Sequence, residues 1–526
     1  MLDLIPHFMP AVCAHSKTRA RLKLSSYGKI NNVPLHLERA HVFDSDFLTP
    51  QTATLYQELI AQTARIVATS LPSKPYTGLN PAALAELIPS SFLPGQSCPP
   101  EQIAVILQSV VANSLCFSHP NIVAHLHTPP LLAAIAAELV ITSINQSMDS
   151  FDLGPLATVA EQKLVRWLCA EAGLPSTSEG TLTTGGSQSN YLGLLLARNR
   201  AVQKHWNWSA QKSGLPPEAR KLRILCSDVA HFTVDKSASQ LGLGSDAVIR
   251  IPVDAHFQMD ATALGDALHG LQAEGLVPMA IVATAGTTDF GSVDPLPEIA
   301  DLARQFSAWL HVDGAYGGAL LFSKTHRGQL RGIESADSFS MDFHKLFWQP
   351  IPSAVFMLLD ARHFDSIKLY ADYLNPKLNE EEGIPDLVTT SIMTSRRFDA
   401  LKVWICFQTL GRAKLTAMID RTFELAVHAA GVIRRSEHLE LLAEPKTGSV
   451  VFRYLSSKKD ANPINDRIPK HLFTQGVAII GHTRVKDRQC LKFTFMNPST
   501  TEAQVEDLIM TIVREGRTIE DADQSQ

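Results

Sequence analysis

The sequence predicts an α/β protein built on a mostly parallel sheet, preceded by a helical arm and followed by a smaller C-terminal α/β domain. Three observations predict it. Between about residues 150 and 360, short β-branched apolar runs alternate with helix-length segments, the pattern of crossover units whose strands are buried on both faces. Ahead of them apolar residues recur at helical spacing, and after them come three further strand-like runs. A chain of 526 residues is too long for one ordinary core, so this order reads as two or three domains. The expected divisions are residues 1–127, 128–402 and 403–526.

Composition narrows the function before any motif does. With 45% hydrophobic and 19% charged residues the chain has ample material for a core, which excludes disorder. Lys and Arg number 47 against 52 Asp and Glu, a net charge of −5, so no global field favours nucleic acid or an anionic membrane and a small-molecule partner is expected. The seven cysteines are scattered with no Cys-x-x-Cys pair, which argues against a disulfide framework or zinc ribbon and for reduced, buried thiols. Residues 1–27 have apolar character but carry Asp3 and Pro6 and place their basic cluster after the apolar stretch, the reverse of a secretory signal. The most apolar internal run, 131–144, is too short to span a bilayer and contains Glu138. A soluble, cytoplasmic protein with no membrane partner is expected.

The elements follow in chain order. TPQTATLYQELIAQTARIVATS opens on a Thr-Pro start signal and keeps helical spacing. RILCSD, AVIRIPV, PMAIVATAG, WLHVDGA, SFSMDF and SAVFMLL read as buried strands, with helices such as PLPEIADLARQFS between them. The acidic stretch at 371–393 is too charged for core and too long for an ordinary connection, so it reads as a mobile loop or lid. RRFDALKVWICFQTLG is helix-like. SVVFRYL, GVAIIG and CLKFTFMN are read as strands of the small domain.

Five segments carry candidate chemistry. In TLTTGGSQSNYLGLLLAR, Gly185 and Gly186 precede Ser187, Gln188, Ser189 and Asn190 at the start of a helix, a turn whose exposed N–H groups suit a phosphate; any tight strand-to-helix turn uses glycine in the same way. Asp313 ends the apolar strand WLHVD, where ligands bind in open sheets, or it caps the following turn. The small residues after it leave room for a flat ring. In SFSMDFHKLFWQP, Lys345 stands among Phe343, Phe347 and Trp348; aromatic neighbours strip its hydration and favour the neutral amine that imine formation requires, although most lone lysines merely snorkel to the surface. His231 follows RILCSD and is placed to stack on a bound ring or to be a satisfied core histidine. Thr287 and Thr288 follow PMAIVATAG, as ligand contacts or turn caps.

In this order and spacing, the HVDGAYGG run, the strand-end pair His344-Lys345 and the terminal LKFTFMNP resemble the group II pyridoxal 5′-phosphate (PLP) decarboxylases, over roughly residues 115 to 500. TGGSQSN, AHLHTPP, NQSMDS and DFHKLFWQP are most similar to L-2,4-diaminobutyrate decarboxylases and related diamine-forming enzymes of siderophore pathways. The resemblance implies the aspartate aminotransferase-like fold type I and a homodimer with the active site between subunits. It implies PLP held covalently by Lys345, with Asp313 on the pyridine nitrogen, His231 stacked on the ring and Ala315 on the opposite face. Gly186, Ser187 and His344 would hold the phosphate, and Thr288 would lie near the ring substituents. Where aromatic amino acid decarboxylases have Asn-Pro before His-Lys, this chain has Asp342-Phe343, an anion that would repel phosphate unless turned away or paired. Tyr373, in YADYLNPK at the start of the lid, matches the family's loop tyrosine and is the candidate proton donor.

Arg396 and Arg397, just after the lid, are placed to fix a loop or substrate carboxylate, or are simply solvated helix-surface charges. His119, His125 and His127 lack Cys or Glu at ligand spacing, so no metal is expected; in the resemblance His125 and His127 fall near the substrate pocket. The implied activity is decarboxylation of an L-amino acid to an amine and CO2, with L-2,4-diaminobutyrate foremost and lysine or ornithine behind it. Transamination or carbon–carbon cleavage would use the same electron sink. A catalytically silent binding protein is the reading from a different class.

Overall fold

The computed structural model describes residues 46–457 and 460–524, so the expected leader at 1–27 lies outside the described residues, as does the start of the arm. The chain divides into two compact units, Met1–Glu58 and Leu59–Gln526. In the first, Thr49 caps the short turn Pro50–Thr52 through a reciprocal bond with Thr52, with Pro50 opening the turn as the Thr-Pro signal indicates. The helix Ala53–Ser70 begins directly after it. The second unit adds the helices Pro81–Ala85 and Pro100–Ala112, then both sheets.

The large sheet comprises β1 (Glu179–Thr183), β2 (Leu222–Ser227), β3 (Val248–Ile251), β4 (Val277–Thr284), β5 (Trp309–Asp313), β6 (Ser338–Asp342) and β7 (Ala354–Leu358), in the order β1-β7-β6-β5-β4-β2-β3. Pairs β3/β2, β2/β4, β4/β5 and β5/β6 are parallel. The exception is β7, antiparallel to both β6 and β1. Residues 343–353 joining β6 to β7 are too few to carry a crossover helix, so the chain must turn straight back. Every residue of β5, β6 and β7 is buried, which is why these strands read as continuous apolar runs. Their two carboxylates, Asp313 and Asp342, stand at strand ends, and His311, Ser338 and Ser340 are the other polar residues.

The second sheet, β8 (Leu439–Leu441), β9 (Ser449–Tyr454), β10 (Gly481–Val485) and β11 (Arg488–Thr494), is antiparallel in the order β10-β11-β9-β8. Helices Asn462–Thr474 and Glu502–Gln524 contribute Ile464, Ile468, Val505, Leu508 and Ile512 to a core of its own. GVAIIG, expected as a strand, is a connection instead. It is apolar because Ala478, Ile479 and Ile480 are buried; Ile479 makes an isolated bridge to Ile122, and only the final Gly481 enters a strand, as the first residue of β10. The helix Ala400–Arg435 runs through the expected junction at 402–403 and is broken at Gly411, where φ is 64°. The stretch 371–393 holds a short helix, Lys377–Glu381, and a turn, Leu387–Thr390. Lys368 Nζ donates to Glu380 at 2.8 Å across its base.

Candidate active site

Ligands of open α/β sheets collect at the carboxyl ends of the parallel strands. Here those ends supply Thr284, Asp313 and Asp342, which line one cavity of ≈ 320 Å³ together with Gly186, Ser187, His231, Thr288, Ala315, His344 and Lys345. Eight of the residues expected from sequence to bind or act therefore meet in one place.

Gly185 caps the helix Gly186–Trp206 with φ at 153°, a conformation that favours glycine. A Cβ on Gly186 would stand 2.8 Å from Ala315 Cβ and 3.4 Å from Asp342 Oδ2, so glycine there is what opens the cradle. Gln188 Oε1 accepts from Thr184 N and Oγ1, both at 2.8 Å, and pins the turn. The first N–H groups of the long helix, which lack intrahelical partners, thus edge the cavity, the arrangement that binds phosphate.

The Asp313 carboxylate is held on both oxygens. Oδ2 accepts from Asn190 Nδ2 at 2.7 Å, and Oδ1 accepts from Ala315 N at 3.1 Å and Ser340 Oγ at 3.4 Å. Oδ1 thus caps the following turn at Ala315, while Oδ2 is held by Asn190 at the cavity wall. His231 Nδ1 lies 2.9 Å from Thr233 Oγ1 and receives Thr233 N–H at 3.4 Å, so that nitrogen is the acceptor; burial pushes the imidazole below its ordinary pKa, against the pull of Asp313.

Lys345 Nζ lies 3.1 Å from Asp342 Oδ2, and His344 Nε2 lies 3.4 Å from the same atom. Ser353 N donates to His344 Nδ1 at 3.3 Å, and burial holds that imidazole low. The anion at 342 is therefore paired, one of the two ways it avoids opposing a phosphate. The aromatic neighbours of Lys345 do something other than expected. Phe343 and Phe347 pack with Phe407, Phe347 also meets Phe322 edge-on at 5.5 Å, and Trp348 Nε1 donates to Met496 O at 2.8 Å. They anchor the turn in the core, and the charged neighbour of the amine is Asp342.

Thr288 lines the cavity, its carbonyl accepting from the buried Lys492 at 3.1 Å, whereas Thr287 turns inward to Ser292 Oγ at 2.7 Å. Leu126 reaches the cavity between His125 and His127. His127 meets Phe117 edge-on at 4.2 Å, and burial lowers both imidazoles. Tyr373 is 90% exposed and is absent from the lining of its own chain's cavity. Arg396 lies apart from the site: its side chain, 8% exposed, bonds Glu161 Oε1 at 2.8 Å and Leu182 O at 3.1 Å. Arg397 pairs with Glu138 and Asp399. Arg396 braces the frame around the site against the buried Glu161, and Arg397 is an exposed arginine paired with part-buried carboxylates.

Sequence reasoning quoted Asn190 without a role and passed over His311. The available signal was register: His311 precedes Asp313 by two residues on one strand, so the two side chains share a face.

A model of the pyridoxal-dependent decarboxylase conserved domain matches residues 81–455. An L-2,4-diaminobutyrate decarboxylase of Acinetobacter baumannii is 38% identical over 485 residues, 90% of this chain and 95% of its own. Another of that name from Rhizobium meliloti (strain 1021) is 40% identical over 421 residues, 80% of this chain and 82% of its own. The crystal structure of the glutamate decarboxylase domain of diaminobutyrate-pyruvate transaminase and L-2,4-diaminobutyrate decarboxylase from Vibrio parahaemolyticus matches with a TM-score of 0.84 at 38% identity, covering 90% of this chain and 99% of that one.

The residues present fit PLP. An amine for the aldehyde, a buried carboxylate for the ring nitrogen and a helix start for the phosphate share one cavity, with Gly186 leaving open the space that a Cβ would fill. A family match over most of the chain and relatives aligned nearly end to end agree with that geometry: the chain belongs to the pyridoxal-dependent decarboxylases, and it is an amino acid decarboxylase that uses pyridoxal 5′-phosphate.

Proposed function

We propose that this decarboxylase acts on L-2,4-diaminobutyrate, breaking the Cα–carboxylate bond, releasing CO2 and placing one proton on Cα to give 1,3-diaminopropane. The observation that carries the reading of the site is the convergence of Lys345, Asp313 and the helix start at Gly186 on one cavity. The substrate is supported by the names of the two relatives, each at least 38% identical over 80% or more of this chain.

PLP, when bound, supplies the electron sink for the pair of electrons left on Cα. Lys345 would hold it covalently. Asp313 would pair with its ring nitrogen. His231 and Ala315 would flank the ring, which would orient the scissile bond. Gly186, Ser187 and His344 hold the phosphate, and Thr288 borders the ring. His125 and His127 border the substrate.

Tyr373, on the segment 371–393, delivers the proton to Cα, and the segment closes to keep water from that carbon. Since Tyr373 is exposed on its own chain, the reading includes a homodimer in which the loop serves the partner's cavity. Exposed Ile103, Ile106 and Val110 on one helix, Leu132, Ile135 and Val140 on another, support such an interface. A cytoplasmic setting is supported by the free thiols of the six described cysteines and by the absence of a membrane-crossing helix among the described residues. Supply of a diamine to siderophore assembly belongs to the same reading.

The test is a CO2-release panel over 2,4-diaminobutyrate, ornithine, lysine, glutamate and aromatic amino acids. The expected outcome is the highest kcat/KM for 2,4-diaminobutyrate, with amine lost in Tyr373→Phe. A preference for another amino acid overturns the substrate, and keto acid in place of CO2 overturns the reaction.

A further inference from the structure

Behind Asp313 lies a line of buried polar side chains that reaches the cavity wall at Asn190. Trp309 Nε1 is 2.8 Å from Ser338 Oγ, Ser338 Oγ is 2.8 Å from His311 Nδ1, His311 Nε2 is 2.9 Å from Asn190 Oδ1, and Asn190 Nδ2 is 2.7 Å from Asp313 Oδ2. All five residues are buried. The carboxylate end fixes the directions. A carboxylate only accepts, so the Asn190 NH2 faces Asp313 and Asn190 Oδ1 receives a proton from His311 Nε2. The neutral ring then accepts at Nδ1, and Ser338, which accepts from the Trp309 indole N–H, gives its one proton there. The same NH2 group also donates to Thr233 Oγ1 at 3.1 Å, and Thr233 lies against His231 Nδ1.

We propose that Asn190 and His311 are positioning residues for the cofactor ring: the one-way chain from Trp309 keeps Asp313 aimed as an acceptor at the ring nitrogen while the same amide orients His231 over the ring. The inference rests on the reading of Asp313 as the ring nitrogen's partner. Two independent features support it. Gly193, one turn after Asn190, has no side chain; a Cβ there would lie 2.7 Å from His311 Nδ1, so the helix is notched to admit the imidazole. Burial also pushes His311 down to about 4, which keeps the ring neutral and its single N–H committed to Asn190. A charged ring would donate from both nitrogens and break the order at Ser338.

The experiment compares binding of PLP with binding of its 1-deaza analogue, in which C–H replaces the ring nitrogen, to the full-length apoprotein. Asn190→Ala and His311→Leu are expected to weaken PLP at least tenfold while the analogue stays within twofold of wild type. His311→Gln, which keeps an acceptor at one end and a donor at the other, is expected to recover most of the PLP affinity. Equal weakening of both ligands, or no weakening of either, overturns the proposal as a mere packing effect. Asp313→Asn separates the two levels. Selective loss of PLP in Asp313→Asn but not in Asn190→Ala overturns the chain alone, and no selectivity in Asp313→Asn overturns the ring-nitrogen reading with it. Should the variants fail to fold, nitrogen NMR of wild-type His311 decides: a proton on Nε2 supports the order, and a proton on Nδ1 contradicts it.

Discussion

Lys345 Nζ stands 3.1 Å from Asp342 Oδ2, and that carboxylate, 3% exposed, also faces the Gly186 turn where the long helix begins. The amine and the phosphate cradle thus share one anion. A unit charge about 6 Å away at an effective dielectric of about 20 is worth roughly 3 kcal/mol, of which the paired Lys345 ammonium offsets about half. Asp342→Asn apoprotein is therefore expected to bind pyridoxine 5′-phosphate, which has the phosphate but no aldehyde, roughly tenfold more tightly. Calorimetric titration checks this, and unchanged affinity would place the phosphate elsewhere.

The cradle is also a matter of space. Gly186→Ala would bring a methyl to 2.8 Å from Ala315 Cβ, at the wall assigned to one face of the ring. The expected outcome is at least a tenfold loss of PLP affinity, with a smaller loss of apoprotein thermal stability because Ala315 Cβ is too short to move aside. A variant that binds PLP normally would show that the ring does not reach Ala315.

Arg396 is expected to matter for stability and not for substrate. It is paired with Glu161, 2% exposed, and Glu161 Oε1 also accepts from Leu182 N at 3.1 Å on β1. Removing one partner of a buried pair costs about 3 kcal/mol or more. Arg396→Gln should lose that much in urea unfolding while KM moves less than twofold. Unchanged stability with a tenfold higher KM would return Arg396 to the substrate.

Acid should act through His311. Its folded value, about 4, lies below the unfolded 6.5, so the unfolded chain binds the proton first. The contribution of the neutral ring is complete above pH 6.5 and is lost as pH falls toward 4, about 3 kcal/mol in all. Asp294, buried and pushed up to about 6, works the other way: it gains a proton in the folded state first and stabilises the fold as pH falls from 6 to 3.8. The two nearly cancel in wild type. Subtraction exposes the first: relative to His311→Gln apoprotein, wild type should lose about 3 kcal/mol between pH 6.5 and 4, measured by denaturant unfolding. A flat difference contradicts a buried neutral histidine.

The strand-end residues were readable because a parallel sheet announces itself as apolar runs, and a charge at the end of a run has few structural excuses. That is how Asp313, Lys345 and the glycine turn emerged. What escaped depended on contacts across the chain. Nothing local distinguishes Arg396 from a surface arginine until Glu161 comes beside it, 235 positions away in sequence. GVAIIG looks like a strand because burial alone makes a run apolar, whether or not a ladder forms. The aromatics around Lys345 suggested a desolvated amine, yet in a tight turn neighbours in sequence point different ways, and theirs is toward Phe407. Asn190 and His311 each look like ordinary helix and strand residues, and only their meeting shows a role.

The most direct test is borohydride reduction of the PLP-loaded protein followed by peptide mapping. The account predicts a single stable pyridoxyl adduct on Lys345, absent from Lys345→Ala. An adduct on another lysine, or none in a protein that still releases CO2, would contradict it.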